Sequence, residues 1–69
     1  MISYGPLWET MKKRGETTYT LIHKHGLNAR TVHNLKHNQS VTLYTLERLC
    51  QILHCQAEGI VVFVPDEFK

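Results

Sequence analysis

Histidine and cysteine are the residues of this sequence best suited to bind a metal ion. His33 and His37 are four residues apart, so a helix would present both imidazoles on one face. Cys50, His54 and Cys55 form a second group. Structural zinc sites usually contain closely spaced ligand pairs such as Cys-x-x-Cys, which this sequence lacks. Cys50 also lies on an apolar stripe, where a free cysteine behaves as a small hydrophobic residue. We therefore predict no metal ion.

Enzymatic chemistry has even less support in the sequence. No nucleophile stands beside an evident base and orienting acid, and no glycine-rich phosphate-binding loop is present. A chain of 69 residues is close to the lower limit for folding around one core, which leaves little protein to enclose a cleft. We predict one domain over residues 1–69, with no catalytic site, no cofactor and no evident small-molecule ligand.

Arg30 and Asn34 are suited to a different chemistry, the recognition of base edges in duplex DNA. An arginine can donate two hydrogen bonds to guanine O6 and N7, and an asparagine can bind adenine N6 and N7 in the same way. Ala29, at the start of the same segment, could contact a thymine methyl group. Double-stranded DNA is therefore the predicted partner.

The charge distribution agrees with an anionic partner. Six of the eight lysines and arginines lie in the segment 12–36, which contains Glu16 as its one acid, although the net charge of the chain is only +2. Most of the histidines lie in this segment as well. Such an asymmetric distribution gives one part of the surface a positive field that attracts phosphates.

Capping residues, glycines and apolar spacing divide the chain into four helices and a strand. Pro6 suits the first turn of a helix, while Gly15 and Gly26 suit helix ends. Typical N-caps precede the other three helices, namely Thr17, Asn28 and Thr42. We predict helices near residues 6–14, 18–25, 29–37 and 42–53, and a strand near 60–64.

Apolar residues at helical spacing indicate which faces are buried. Val32 and Leu35 form a narrow stripe on the third helix, and Leu27 before its cap would pack on Val32. The stripe of the fourth helix contains Leu43, Leu46, Leu49, Cys50 and Leu53. Trp8 and Phe63 are also predicted to lie in the core, because they belong to apolar patterns.

The second and third helices are separated by the short turn Gly26-Leu27-Asn28. Because such a turn cannot support antiparallel packing, the two helices should cross steeply, as in a helix-turn-helix. The third helix would then protrude, with the other helices supporting it from behind. A major groove about 12 Å wide admits one helix of this kind.

The segment Thr17–Leu35 resembles the helix-turn-helix of Cro- and lambda-repressor-type transcriptional regulators. The resemblance continues through Asn38 and the apolar positions of the fourth helix. Ile2-Ser3-Tyr4, Leu7-Trp8 and Val64-Pro65-Asp66-Glu67 are similar to a compact subgroup common in Gram-positive bacteria and their mobile elements. The resemblance implies a mainly α-helical bundle of four to five helices with a short terminal β-strand, or a two-stranded sheet formed by both ends of the chain.

The resemblance also implies roles for individual residues. Thr18 would bind a backbone phosphate, and Asn38 takes the place of a usual glycine. Ile22 replaces a small alanine that is frequent in the family, and glutamine is frequent at the positions of Thr18 and Ala29. The complete predicted DNA-binding set is Thr18, Tyr19, Lys24, Asn28, Ala29, Arg30, Thr31, His33, Asn34, Lys36 and His37.

Several alternatives accompany this interpretation. Helix-turn-helix domains of this type also act as antitoxins or adaptors that bind proteins. Tyr19 and Tyr44 are expected either at the DNA backbone, where a phenol would bind phosphate, or in plain packing. We expect a cytoplasmic regulator that acts by repression or by activation. We also expect it to work as a homodimer, joined at least partly through the C-terminal region, where Phe63 or Phe68 would anchor the contact. The strand near 60–64 could pair with residues 1–4 or with its copy in a second subunit. No membrane segment or signal peptide is predicted, and two cysteines are too few for a disulfide framework.

Overall fold

A computed structural model describes residues 1–65; the predictions for Phe68 lie outside this range. Four α-helices follow one another, with a short strand near each end of the described chain. The elements are β1 (Ile2–Ser3), α1 (Gly5–Arg14), α2 (Thr18–His23), α3 (Ala29–Lys36), α4 (Leu43–Leu53), a 3-10 turn (Ala57–Gly59) and β2 (Val62–Phe63). The predicted mainly α-helical architecture is confirmed, and each helix begins within one residue of its predicted start.

Side-chain caps determine where three of the helices begin. The hydroxyl of Thr17 accepts a hydrogen bond from the Thr20 amide at 3.2 Å, and the Thr20 hydroxyl accepts one from the Thr17 amide at 2.9 Å. Asn28 and Thr42 cap α3 and α4 with their side-chain oxygens, which accept hydrogen bonds from the amides of Arg30 and Thr45. Each cap satisfies an amide that would otherwise lack a partner, and it contributes roughly 0.5–2 kcal/mol to stability. The three predicted caps are therefore all present.

A residue in the left-handed conformation follows each helix, directly or within three residues. Gly15 and Gly26 have φ values of 71° and 76°, as expected for glycine. Asn38 follows α3 with φ 56°, and the Gln39 amide returns to the Asn34 carbonyl at 2.8 Å, which is the pattern of a Schellman motif. His54 ends α4 with φ 54°, which the sequence analysis did not anticipate. The second helix ends at His23, two residues before its predicted end.

The core is a cluster to which every helix contributes. Its fully enclosed side chains are Leu7, Leu21, Leu35, Leu49, Leu53 and Ile60. Trp8 and Cys50 are partly buried against this cluster. Leu43, which was predicted to belong to the stripe of α4, is instead 82% exposed. It precedes Leu49 by six residues, which places it about 240° around the helix from that buried position.

The two strands pair within the chain, as the intramolecular alternative predicted. They are antiparallel, with Ile2 opposite Phe63 and Ser3 opposite Val62. The second strand is shorter than predicted, because Ile60 enters the core before the strand begins. The prediction that Phe63 is buried is wrong, since its side chain is 75% exposed. Because the sheet has two strands of two residues each, it leaves the outer side of Phe63 uncovered.

Candidate nucleic-acid interface

The turn between α2 and α3 is fixed by contacts on both of its sides. Gly26 allows the chain to reverse, and the Leu27 amide donates to the Leu21 carbonyl at 2.9 Å. Leu27 itself is buried in the core. From α4, the guanidinium of Arg48 donates to the His25 carbonyl at 2.8 Å. The turn therefore sets the position of α3 through packing and through a hydrogen bond from a third helix.

One face of α3 holds the helix to the protein. Val32 and Leu35 are buried, and Leu35 has no exposed surface. At the start of the helix, the side-chain oxygen of Asn28 accepts a hydrogen bond from the Arg30 amide at 2.7 Å. At the end, the side-chain oxygen of Asn38 accepts one from the Tyr4 amide at 3.1 Å. Both ends of α3 are thus fixed by asparagine side chains.

The opposite face of α3 carries polar side chains into solvent. Asn34 and Thr31 are half-buried, and the others are exposed, namely Ala29, Arg30, His33, Lys36 and His37. The imidazoles of His33 and His37 lie side by side, with ring centroids 4.3 Å apart. The orientation predicted from periodicity, with Val32 and Leu35 inward, agrees with this arrangement.

Two shallow grooves flank this face, and Asn34 lines both of them. The first is lined by Arg30, His33, Asn34, His37 and Gln39. The second is lined by Thr31, Asn34, Ser40, Val41, Thr42 and Thr45. Neither lining contains a carboxylate. Because hydroxyl, amide, guanidinium and imidazole groups surround Asn34, this surface can donate hydrogen bonds to an anionic or polar partner without repelling it.

Gln39 and the residues that follow it in the second groove were missing from the predicted site. They lie beyond the end of α3 along the chain, and the left-handed turn at Asn38 brings them back beside that helix. The polar composition of Asn38-Gln39-Ser40 was the available signal. Such a signal is weak, because polar residues are expected in any exposed loop.

The predicted site residues of α2 are also accessible. Tyr19 and Lys24 are exposed, while Thr18 is half-buried in the first turn of the helix. The ring of Tyr19 lies 4.3 Å from that of His23. The Tyr19 hydroxyl is therefore at the surface, as a phosphate-binding role would require.

Glu16 is the carboxylate that precedes this helix, and it is held by neighbouring side chains. The hydroxyl of Thr20 donates to one of its oxygens at 2.7 Å, and His25 Nε2 lies 3.4 Å from the same oxygen. The Thr20 hydrogen bond, together with His25 and Lys24, lowers the pKa of Glu16. This acid thus stays ionised while its charge is partly satisfied locally.

Neither a metal site nor a membrane-spanning helix is found among the residues that the structure describes. Within residues 1–65, no three histidine, cysteine, aspartate or glutamate side chains come together where they could hold a metal ion. Over the same residues, no helix has both the length and the apolar character needed to span a membrane.

Comparisons with known proteins agree with this arrangement. The chain is similar to the crystal structure of the transcriptional regulator VanUg, with a TM-score of 0.85 and 28% sequence identity over 94% of this chain and 87% of that chain. None of the curated proteins matches it. The family model of the Cro/C1-type helix-turn-helix DNA-binding domain matches residues 6–66, and since this range covers most of the 69 residues, the chain belongs to that family.

Proposed function

We propose that the chain regulates transcription by binding a specific double-stranded DNA site, with α3 in the major groove. The observation that carries this proposal is the two-faced character of α3. Val32 and Leu35 hold one face in the core, while Arg30 and Asn34 lie on the other beside grooves without carboxylates. A helix supported from behind in this way has the shape and the side chains that base recognition needs.

The proposed roles follow from side-chain chemistry. Arg30 would bind guanine, Asn34 would bind adenine, and Ala29 would contact a thymine methyl group. His33 and His37 would lie along the same base edges, at the wall of the first groove. The remaining members of the set would contact phosphates or sugars, namely Thr18, Tyr19, Lys24, Asn28, Thr31 and Lys36.

We further propose that the protein acts as a homodimer in the cytoplasm, where its DNA target would lie. A single recognition helix buries too little surface to select one genomic site, and two-fold symmetric half-sites solve this problem. Phe63 supports a contact near the C-terminal strand, because it lies exposed at the edge of an apolar groove formed with Val41, Leu43, Leu46 and Val61. Light scattering at micromolar concentration, with and without duplex, should detect the dimer. A monomer in both conditions, bound one per site, would contradict this part.

Selection of bound sequences from random duplex DNA tests the main proposal. An enriched, two-fold symmetric site is expected, and its affinity should fall steeply as the salt concentration rises, because the release of counterions from the DNA is then less favourable. Equal binding to all duplexes would contradict specific recognition. The alternative function, a protein-binding antitoxin or adaptor, predicts no enriched site and an apolar interaction that responds little to salt.

A further inference from the structure

We propose that Cys50 and Cys55 form a reversible disulfide site at the end of α4, with a hydroperoxide as the oxidant. They are the two cysteines of the chain, and both are half-buried and reduced in this structure. Both side chains pack against the core from one place, the junction between α4 and the segment that leads to β2. The proposal concerns a modification site and does not depend on DNA binding.

The backbone brings the two residues together. The chain reverses at His54, whose φ is 54°, and the Cys55 amide then donates to the Cys50 carbonyl at 3.1 Å. Adding the covalent bond lengths on either side of this hydrogen bond limits the distance between the two Cα atoms to about 7 Å. The Cα separation of a disulfide, about 4.4–6.8 Å, falls within that limit, so the backbone spacing is compatible with a bridge.

The side chains of both cysteines also pack against the same core cluster. The neighbouring Cys55 adds to the effect of burial in raising the pKa of the Cys50 thiol. Cys55 is held from its other side by Gly59. A β-carbon added to Gly59 would lie 3.3 Å from the sulfur of Cys55. The side chain of Cys55 therefore has little free space on the side of Gly59.

The segment that holds Cys55 is itself fixed to α1. The hydroxyl of Thr10 donates to the Gly59 carbonyl at 2.8 Å, and Ile60 follows as a fully enclosed core residue. Leu49 and Leu53 anchor α4 in the core. When the two sulfur atoms come together to form a bond of about 2.05 Å, residues 55–59 must therefore make the movement. Oxidation would thus tighten the connection between α4 and β2 and leave α3 in place.

The reaction balances with one hydroperoxide per pair. The Cys55 thiolate attacks a peroxide oxygen to give a sulfenic acid, and the oxygen–oxygen bond breaks with release of hydroxide. The Cys50 thiol then displaces the hydroxyl group of the sulfenic acid, which leaves as water after taking up the thiol proton. Two electrons pass to the peroxide, and with hydrogen peroxide the products are the disulfide and two waters. Cys50 is assigned the second step because its raised pKa makes it the poorer first nucleophile.

The test is to treat the reduced full chain with hydrogen peroxide, block remaining thiols with N-ethylmaleimide and measure the intact mass. We expect both labels to be lost, together with two hydrogen masses, and dithiothreitol to restore both labels. Peptide mapping should show a bridge within one chain. Two retained labels, or bridges between chains, would overturn the proposal.

Variants show whether the disulfide forms because the turn at His54 brings the two thiols together or only because the thiols are reactive. In the double variant Cys55→Ser, Gln56→Cys, the second thiol is one residue further along and leaves the turn that faces Cys50. Its disulfide should form several-fold more slowly than that of the natural pair. The circular dichroism spectra of the two proteins should be the same, so that the difference in rate does not come from unfolding. An equal rate would show that the turn at His54 does not position the thiols, and would overturn the proposal. Cys50→Ser should leave Cys55 as a sulfenic acid that a dimedone probe labels.

Discussion

The amide of Tyr4 donates a hydrogen bond to the side-chain oxygen of Asn38 at 3.1 Å, and this bond joins the start of the chain to the residue that ends α3. The Tyr4 hydroxyl reinforces the junction by donating to the Gln39 carbonyl at 2.8 Å. Tyr4 is 2% exposed, and burial raises the pKa of its phenol. Asn38 therefore contributes twice, through its left-handed backbone and through its side chain.

Substitutions at Asn38 should separate these two contributions. Asn38→Gly removes the hydrogen bond to Tyr4 but suits a φ of 56°, whereas Asn38→Ala removes the bond and also strains the backbone. We expect the alanine variant to be less stable than the glycine variant by about 1 kcal/mol. Urea unfolding followed by circular dichroism gives both free energies. Equal stabilities would mean that backbone strain is not important at this position.

Substitution of a core leucine should lower the free energy of unfolding much more than the same substitution of an exposed leucine. Leu35 has no exposed surface, so Leu35→Ala should lower the free energy of unfolding by roughly 2–5 kcal/mol. Leu43 is 82% exposed, and Leu43→Ala should change the free energy of unfolding of the monomer by about 0.5 kcal/mol or less. Thermal unfolding of the two variants makes the comparison. Similar losses at both positions would contradict the assigned orientation of α4.

The proposed groove contacts predict different effects for base-binding and phosphate-binding residues. Arg30→Ala and Asn34→Ala should each weaken binding to the selected duplex by roughly 1–3 kcal/mol and relax sequence preference. Lys24→Ala should instead weaken binding to every duplex to a similar extent and reduce the salt dependence. Fluorescence anisotropy with matched and scrambled duplexes separates these outcomes. If Arg30→Ala changed neither affinity nor preference, α3 would not be the reading helix.

Acid should remove a stabilising contribution made by Glu16. Its pKa is lowered in the folded protein, first by the Thr20 hydrogen bond and then by His25. The contribution is therefore complete above the unfolded pKa of about 4.5 and is lost as the pH falls through the lower folded value. The stability difference between the wild type and Glu16→Gln should shrink between pH 6 and pH 3. Thr20→Ser keeps the hydroxyl and should retain the pH dependence of stability. If that variant lost the pH dependence, the Thr20 hydrogen bond would not be its cause.

Local signals in the sequence were enough to predict the helices. Thr17, Asn28 and Thr42 cap helices at the predicted positions because capping depends on neighbouring residues alone. The inward orientation of Val32 and Leu35 could also be predicted, since helical periodicity indicates a buried face.

Features that depend on distant parts of the chain were harder to predict. The five apolar residues from 60 to 64 have no alternation, so they do not indicate which side chains face the core. The structure buries Ile60 and exposes Phe63. Ile60 follows directly on the 3-10 turn, which contacts both α1 and α4, whereas Phe63 lies in a small sheet with two residues on each strand. His54 was missed because a left-handed histidine has no distinctive sequence pattern.

The pairing of β1 with β2 has a consequence for how the molecule opens. Ile2 and Phe63 are separated by nearly the whole chain, so closing this contact costs more loop entropy than forming the turn between α2 and α3. The contact is also small, with two residues on each strand. The strands should therefore separate before the helices unfold, and their amides should exchange with solvent hydrogen faster than those of α4. Separation of the two strands would expose Tyr4 and the end of α3 while the four helices remain packed.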